Sequence, residues 1–230
     1  MAKIGNIMLE FDLARNALRY LINIYKIKEI YIPYYLCEVI RHSIFLENCK
    51  PKFYHIDDDF MPSLEFNKEA YILYPNYFGI CDKNVEKLVQ IYPKLIVDNA
   101  HAFYAQPSGL ASFNSARKFI PAKEKAYLYF SNEKNTNMPD MCRRKKFMQL
   151  HERYKDTNLL RIELNNDSIP FCYPYLAGSI LEADELVKQL KADGKIIYRY
   201  WEPLPKTYNE YKFYSRLVPI PISVDYKTIL

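Results

Sequence analysis

Apolar positions along the first 130 residues switch between two spacings. LARNALRYLINIYK (13–26) places Leu18, Leu21, Ile22 and Tyr25 on one side at the 3.6-residue period, which predicts a helix with Asp12 as its N-cap. EIYIP (29–33) then reads as a short strand closed by proline, LCEVIRHSIFLENC (36–49) as a helix and KPKFYHID (50–57) as a strand. AYILYP (70–75), KNVEKLVQIY (83–92), KLIVDNA (94–100) and KAYLYF (125–130) continue as strand, helix, strand and strand. Helices alternating with short β-rich runs predict an α/β layered domain with a parallel-rich sheet flanked by helices.

The pattern changes after SNEKNTNMPD (131–140), a polar stretch read as a linker. MCRRKKFMQLHERYK (141–155) has helical spacing, TNLLRIEL (157–164) strand character, and IPFCYPYLA (169–177) an extended pattern. EADELVKQLKADG (182–194) reads as a helix with Gly194 as C-cap, KIIYRYW (195–201) as a strand, YNEYKFYSRL (208–217) as a helix and VPIPI (218–222) as extended. The expectation is a large α/β domain over 1–135 and a smaller C-terminal α+β lobe over 136–230.

Composition narrows the function classes. Half of the residues are hydrophobic and 26% charged, enough to build a packed core. The net charge of +5 is interleaved along the chain, and its one basic run, RRKK (143–146), reads as a solvated helix face. No nucleic-acid partner is expected. Five scattered cysteines without a zinc-type pair point to a reducing compartment and no metal. No apolar run approaches a membrane span, so a cytoplasmic protein is expected. The 22 tyrosines read as half-buried strand filler.

The stretch LIVDNAHAFYAQPSGLASFNSARKFIP (95–121) carries the chemistry. Asp98 closes an apolar strand, where parallel sheets bind their ligands. Taken singly, Asp98 reads equally well as a helix cap or half of an ion pair, His101 as a surface histidine and Lys118 as a solvated lysine. Together, a carboxylate, a lysine displayed from a turn and nearby hydroxyls form the inventory for holding pyridoxal phosphate. The carboxylate keeps a pyridine nitrogen protonated. The lysine amine attacks the aldehyde, made nucleophilic by desolvation or by a neighbouring cation such as Arg117. Serines and backbone N–H groups at a helix start hold the phosphate.

VDNAHA, SARKF and the following AYLY resemble the DegT/StrS-like sugar aminotransferases, a group of fold type I pyridoxal-phosphate enzymes, and within them a branch from surface-polysaccharide gene clusters. FDLARNALRYL, YIPYYLCEVI, FYHID, YPNYFGICD, YPYLA, YRYW and PIPISVDY extend the likeness, in order, from Phe11 to Tyr226. The resemblance implies a fold type I aminotransferase-like architecture and transamination of a sugar or nucleotide-sugar ketone, with glutamate as amino donor and a homodimer as the assembly. It implies that Lys118 is the catalytic lysine, that Asp98 pairs with the pyridine nitrogen, that His101 sits by the ring hydroxyl, and that Ser112 and Ser115 lie near the phosphate.

Departures from the family pattern are equally specific. Ala14 and Asn16 stand where the family has a glycine and a small or hydroxyl residue, and Cys37 stands where an aromatic ring stacks on the cofactor. Glu124, Lys125 and Ala126 replace a D/E-G-G pattern, and Lys125 offers a second lysine near the turn. A helical segment that family members carry after the AYLY strand is reduced to 131–140. These departures support an alternative, a catalytically idle relative serving as a binding or accessory subunit. A dehydratase of the same group is disfavoured, because that branch carries histidine in place of the lysine.

Overall fold

A computed structural model describes residues 8–130, 133–201 and 204–222. Ser131 and Asn132 of the expected linker, and residues 223–226 of the last resembling stretch, lie outside the described residues. In chain order the elements are β1 (Leu9–Phe11), α1 (Ala14–Ile24), β2 (Glu29–Pro33), α2 (Glu38–Leu46), β3 (Lys50–Tyr54), β4 (Ile72–Pro75), α3 (Asp82–Ile91), β5 (Leu95–Asn99), β6 (Ala111–Asn114) and β7 (Ala126–Phe130). There follow α4 (Met141–Tyr154), β8 (Cys172–Leu176), α5 (Ile180–Ala192), α6 (Tyr211–Arg216) and β9 (Leu217–Pro221). Short 3-10 turns occupy Tyr77–Gly79 and Ala116–Lys118.

Seven strands form one sheet in the order β1-β7-β6-β5-β4-β2-β3. β3, β2, β4, β5 and β6 run parallel, and β7 is antiparallel to both β6 and β1. The expected parallel-rich α/β architecture is the one observed. β8 and β9 pair antiparallel in a second small sheet.

Strand alternation divides the core. Ile30 and Ile32 of β2, Leu73, Ile96, Ala111, Phe113 and Leu128 face α1 and α2, where Leu18, Leu21, Ile22, Ile40 and Ile44 cover them. Ile72, Tyr74, Leu95 and Val97 face the other way. They are covered by Val85 and Leu88 of α3 together with Phe147, Tyr173, Phe213 and Val218 from the C-terminal elements. The C-terminal third therefore shares a continuous hydrophobic core with the sheet.

Several local expectations need correction. Leu13, not Asp12, is the N-cap of α1, and it caps without a side-chain hydrogen bond. TNLLRIEL (157–164) and KIIYRYW (195–201) form no strands. Leu160, Ile162, Leu164, Ile197 and Tyr200 pack against the core, but among the described residues no strand lies alongside to complete a ladder. Conversely β1 and β6, too short and too polar to show a period, are strands because β7 pairs with each.

The C-terminal elements are tied back to the sheet by buried polar contacts. Glu210 is fully buried. Its carboxylate accepts from the Ile56 N–H at 2.8 Å and lies 3.0 Å from His55 Nδ1. Tyr35 Oη donates to the Tyr200 carbonyl at 2.8 Å, and Tyr77 Oη to the Tyr35 carbonyl at 2.9 Å.

Candidate active site

The chain passes from β2 to β3 on one side of β2, and returns to β4 on its other side. That reversal leaves a crevice at the carboxyl ends of the parallel strands. A cavity lies there. The β2–α2 turn contributes Leu36 and Cys37, the end of β4 contributes Pro75 and Asn76, the β5 end contributes Asp98, Ala100 and His101, and the turn after β6 contributes Ser115, Arg117 and Lys118. Leu13, Ala14 and Arg15 at the start of α1, Val39 and Ile40 in the first turn of α2, and Trp201 complete the wall.

Asp98 reaches the cavity because β5 ends there. Its carbonyl accepts from the Asn76 N–H at 3.0 Å, and its Oδ1 accepts from the Ala100 N–H at 2.8 Å, which turns the chain toward His101. Lys118 is displayed by the 3-10 turn that follows β6. Gly79 supports the site from below. At φ +71° it lets the backbone approach so closely that an added Cβ would lie 2.3 Å from the His101 carbonyl oxygen.

Burial disfavours charge on all three central groups. It pushes the Asp98 carboxyl up and the Lys118 amine down, and their mutual attraction offsets part of each change. His101 is held well below its ordinary value, first by burial and then by the Lys118 charge. Its Nε2 is buried without a hydrogen-bond partner among the described residues. The imidazole lies parallel to the Phe171 ring (4.6 Å, 11°) and to the Trp201 ring (5.7 Å, 10°).

The wall is also electropositive by construction. The first turns of α1 and α2 both border the cavity, and neither helix carries a side-chain N-cap hydrogen bond. Glu38 in the first turn of α2 offsets that helix's positive end, so the α1 start, with no acidic residue in its first turn, is the better suited to an anion. Arg15, Arg117 and Lys118 add three cationic side chains.

Of the residues singled out from sequence, Asp98, His101, Ser115, Lys118 and Cys37 line this one cavity. Asn16 and Ser112 do not. Ser112 pairs in register with Val97 and shares its face of the sheet, whereas Asp98 pairs with Phe113 on the opposite face. Asn16 sits one residue beyond the part of α1 that borders the cavity. Lys125 stands apart in an exposed ion pair with Glu10 at 2.5 Å. Trp201 and Asn76 were missed. Their signals in the sequence are the resembling stretches YRYW, which holds the chain's single tryptophan, and YPNYFGICD.

Lys118 also forms part of a second cavity on its other side, with Arg143, Phe171, Cys172, Ile196, Tyr198 and Tyr200. Among the described residues no group of three or more His, Cys, Asp or Glu is placed to hold a metal. No helix among them is long and apolar enough to cross a membrane.

No family model matches the chain, and no curated protein matches it by sequence. Solved structures do match. A Helicobacter pylori aminotransferase involved in the biosynthesis of pseudoaminic acid superposes with a TM-score of 0.70 at 15% identity, over 96% of this chain and 83% of its own. An Escherichia coli GDP-4-keto-6-deoxy-D-mannose-3-dehydratase with bound hydrated pyridoxal phosphate gives 0.70 at 14% identity, over 98% and 86%. A Brucella abortus DegT/DnrJ/EryC1/StrS aminotransferase gives 0.66 at 16% identity, over 93% and 80%. At this identity the likeness establishes the shared fold, the fold type I aminotransferase-like architecture expected from sequence.

Proposed function

We propose that the protein is a pyridoxal-phosphate-dependent aminotransferase-like enzyme acting on a sugar or nucleotide-sugar ketone, with glutamate as amino donor. The observation that carries this reading is the meeting of Asp98, Lys118 and the unpartnered Nε2 of His101 in one cavity at two uncapped helix starts. This donor set fits pyridoxal phosphate. Asp98 would hold a pyridinium nitrogen, His101 Nε2 a ring oxygen, and the α1 start with Ser115 and Arg15 a phosphate. When bound, the cofactor supplies an electron sink for the carbon next to the transferred amine. Lys118, its proton affinity lowered by burial, is suited to hold the cofactor covalently and to carry a proton between carbons. A lysine at this position favours transamination over the dehydratase reading. The shared fold, together with the sugar-acting relatives, supports a place in surface-polysaccharide synthesis, in the cytoplasm, as a homodimer.

The test is an absorbance titration of the purified protein with pyridoxal phosphate. A near-visible band that Lys118→Ala removes supports the reading. A folded protein giving no band and no binding heat at millimolar cofactor rejects it. The idle-relative alternative is favoured by one feature: Asn16 and Ser112 do not reach the cavity, which leaves fewer side chains for the phosphate. A band without amino transfer from glutamate to any keto-sugar nucleotide would select it.

A further inference from the structure

The family's ring-stacking aromatic is replaced by Cys37, yet the cavity is not without an aromatic wall. Trp201 borders the same space as Cys37, Asp98 and Lys118. Its ring is fixed from several sides. It meets Tyr35 edge-on at 4.6 Å and Tyr77 at 5.7 Å, and lies near-parallel to Phe78 at 6.1 Å and to His101 at 5.7 Å. The peptide just before it is anchored by the Tyr35 hydroxyl, from the same turn that carries Cys37. The segment 196–201 also has a division of labour. Ile196, Tyr198 and Tyr200 line the cavity beyond Lys118, while Trp201 turns to the cavity holding Asp98.

We infer that Trp201 is the positioning residue of this site: its indole orients the His101 ring, shields it from water and presents Nε2 to whatever occupies the cavity. The inference rests on the reading above for what that occupant is, but not for the shielding itself. Two aromatic rings parallel to one imidazole leave it little rotation. Lys118 is the charge that acts on His101, Tyr200 meets its ring at 5.4 Å, and Asp98, Cys37, Arg15 and Arg117 line the same cavity; Nε2 has no hydrogen-bond partner among the described residues.

The experiment has one arm without cofactor and one with it. In the first, histidine ring protons are followed by NMR from pH 8 to 5, with His101→Phe identifying the His101 signal. The wild-type His101 is expected to stay neutral across this range, Trp201→Phe to behave likewise, and Trp201→Ala to bring its titration into the range. A His101 that stays neutral in a folded Trp201→Ala protein overturns the inference, whatever the cofactor result. In the second arm, calorimetry with pyridoxal phosphate is expected to show about three- to tenfold weaker binding for Trp201→Ala and recovery to within about twofold for Trp201→Phe. The penalty should vanish in a His101→Phe background, as a residue acting through His101 requires. An undiminished penalty there overturns the positioning role. Absence of wild-type binding counts against the proposed function, and the NMR arm still decides the role of Trp201.

Discussion

Replacing His101 by phenylalanine should make the protein more resistant to acid. The wild-type imidazole is buried at 4% exposure and held neutral well below its ordinary value of 6.5. Its folded-state proton affinity is depressed, so below pH 6.5 the unfolded chain binds a proton that the folded chain does not. Stability is then fully present above pH 6.5 and is lost as pH falls toward the folded value. Because the folded value lies well below 6.5, the loss grows as pH falls below 6.5 and can reach at most about 2 kcal/mol by pH 5. Phenylalanine keeps a flat ring parallel to Phe171 and Trp201, removes the unpartnered Nε2 and cannot titrate. The other three histidines remain in both proteins and cancel in the comparison. Urea unfolding of cofactor-free protein at pH 8, 6 and 5 measures the difference. Wild type should lose more stability than His101→Phe between pH 8 and 5, by on the order of 1 kcal/mol and by no more than about 2 kcal/mol. Parallel pH profiles would refute the neutral, buried assignment of this histidine.

Lys118→Ala should abolish the near-visible absorbance with pyridoxal phosphate while Lys125→Ala keeps it, because only Lys118 borders the cavity. Glu210→Ala should cost about 2–4 kcal/mol, since the Ile56 N–H is left buried without its acceptor; Glu210→Gln retains an acceptor and should cost less than half as much in the same urea titration. Gly79→Ala should destabilise by more than about 2 kcal/mol and weaken cofactor binding, as the new Cβ collides with the His101 carbonyl; a stable, fully binding variant in calorimetry would contradict this. Tyr35→Phe should cost roughly 1 kcal/mol through loss of the Tyr200 contact, read as a lowered thermal midpoint.

Sequence periodicity revealed the α/β layers because α1, α2 and α3 each bury one stripe and β4 and β5 are buried on both faces. It overstated strands at 157–164 and 195–201, where alternation reflects packing on one side without a paired neighbour. It passed over β6, and that omission misplaced Ser112: without the strand, nothing showed that its side chain points away from Asp98. Asp98, His101 and Lys118 were legible together because one local connection, β5 to β6 and its turn, carries all three. Trp201 was not, because it arrives through tertiary packing from a segment with no regular structure.

The ties between Tyr35 and Tyr200, and between His55, Ile56 and Glu210, have a consequence for the order in which this chain is made. A ribosome delivers Tyr35 165 residues before Tyr200, and Ile56 154 residues before Glu210. β1 likewise waits for β7 before it has a neighbour. Until residue 210 has emerged Ile56 has no carboxylate to meet, and until residue 218 has emerged one face of the sheet is missing Phe213 or Val218. The nascent chain therefore carries an open apolar sheet face through most of its synthesis, a surface that chaperones bind and that makes early termination products prone to aggregate. The cavity beside Lys118 lacks one of its walls until Trp201 arrives, so the complete site forms only after that residue has been added.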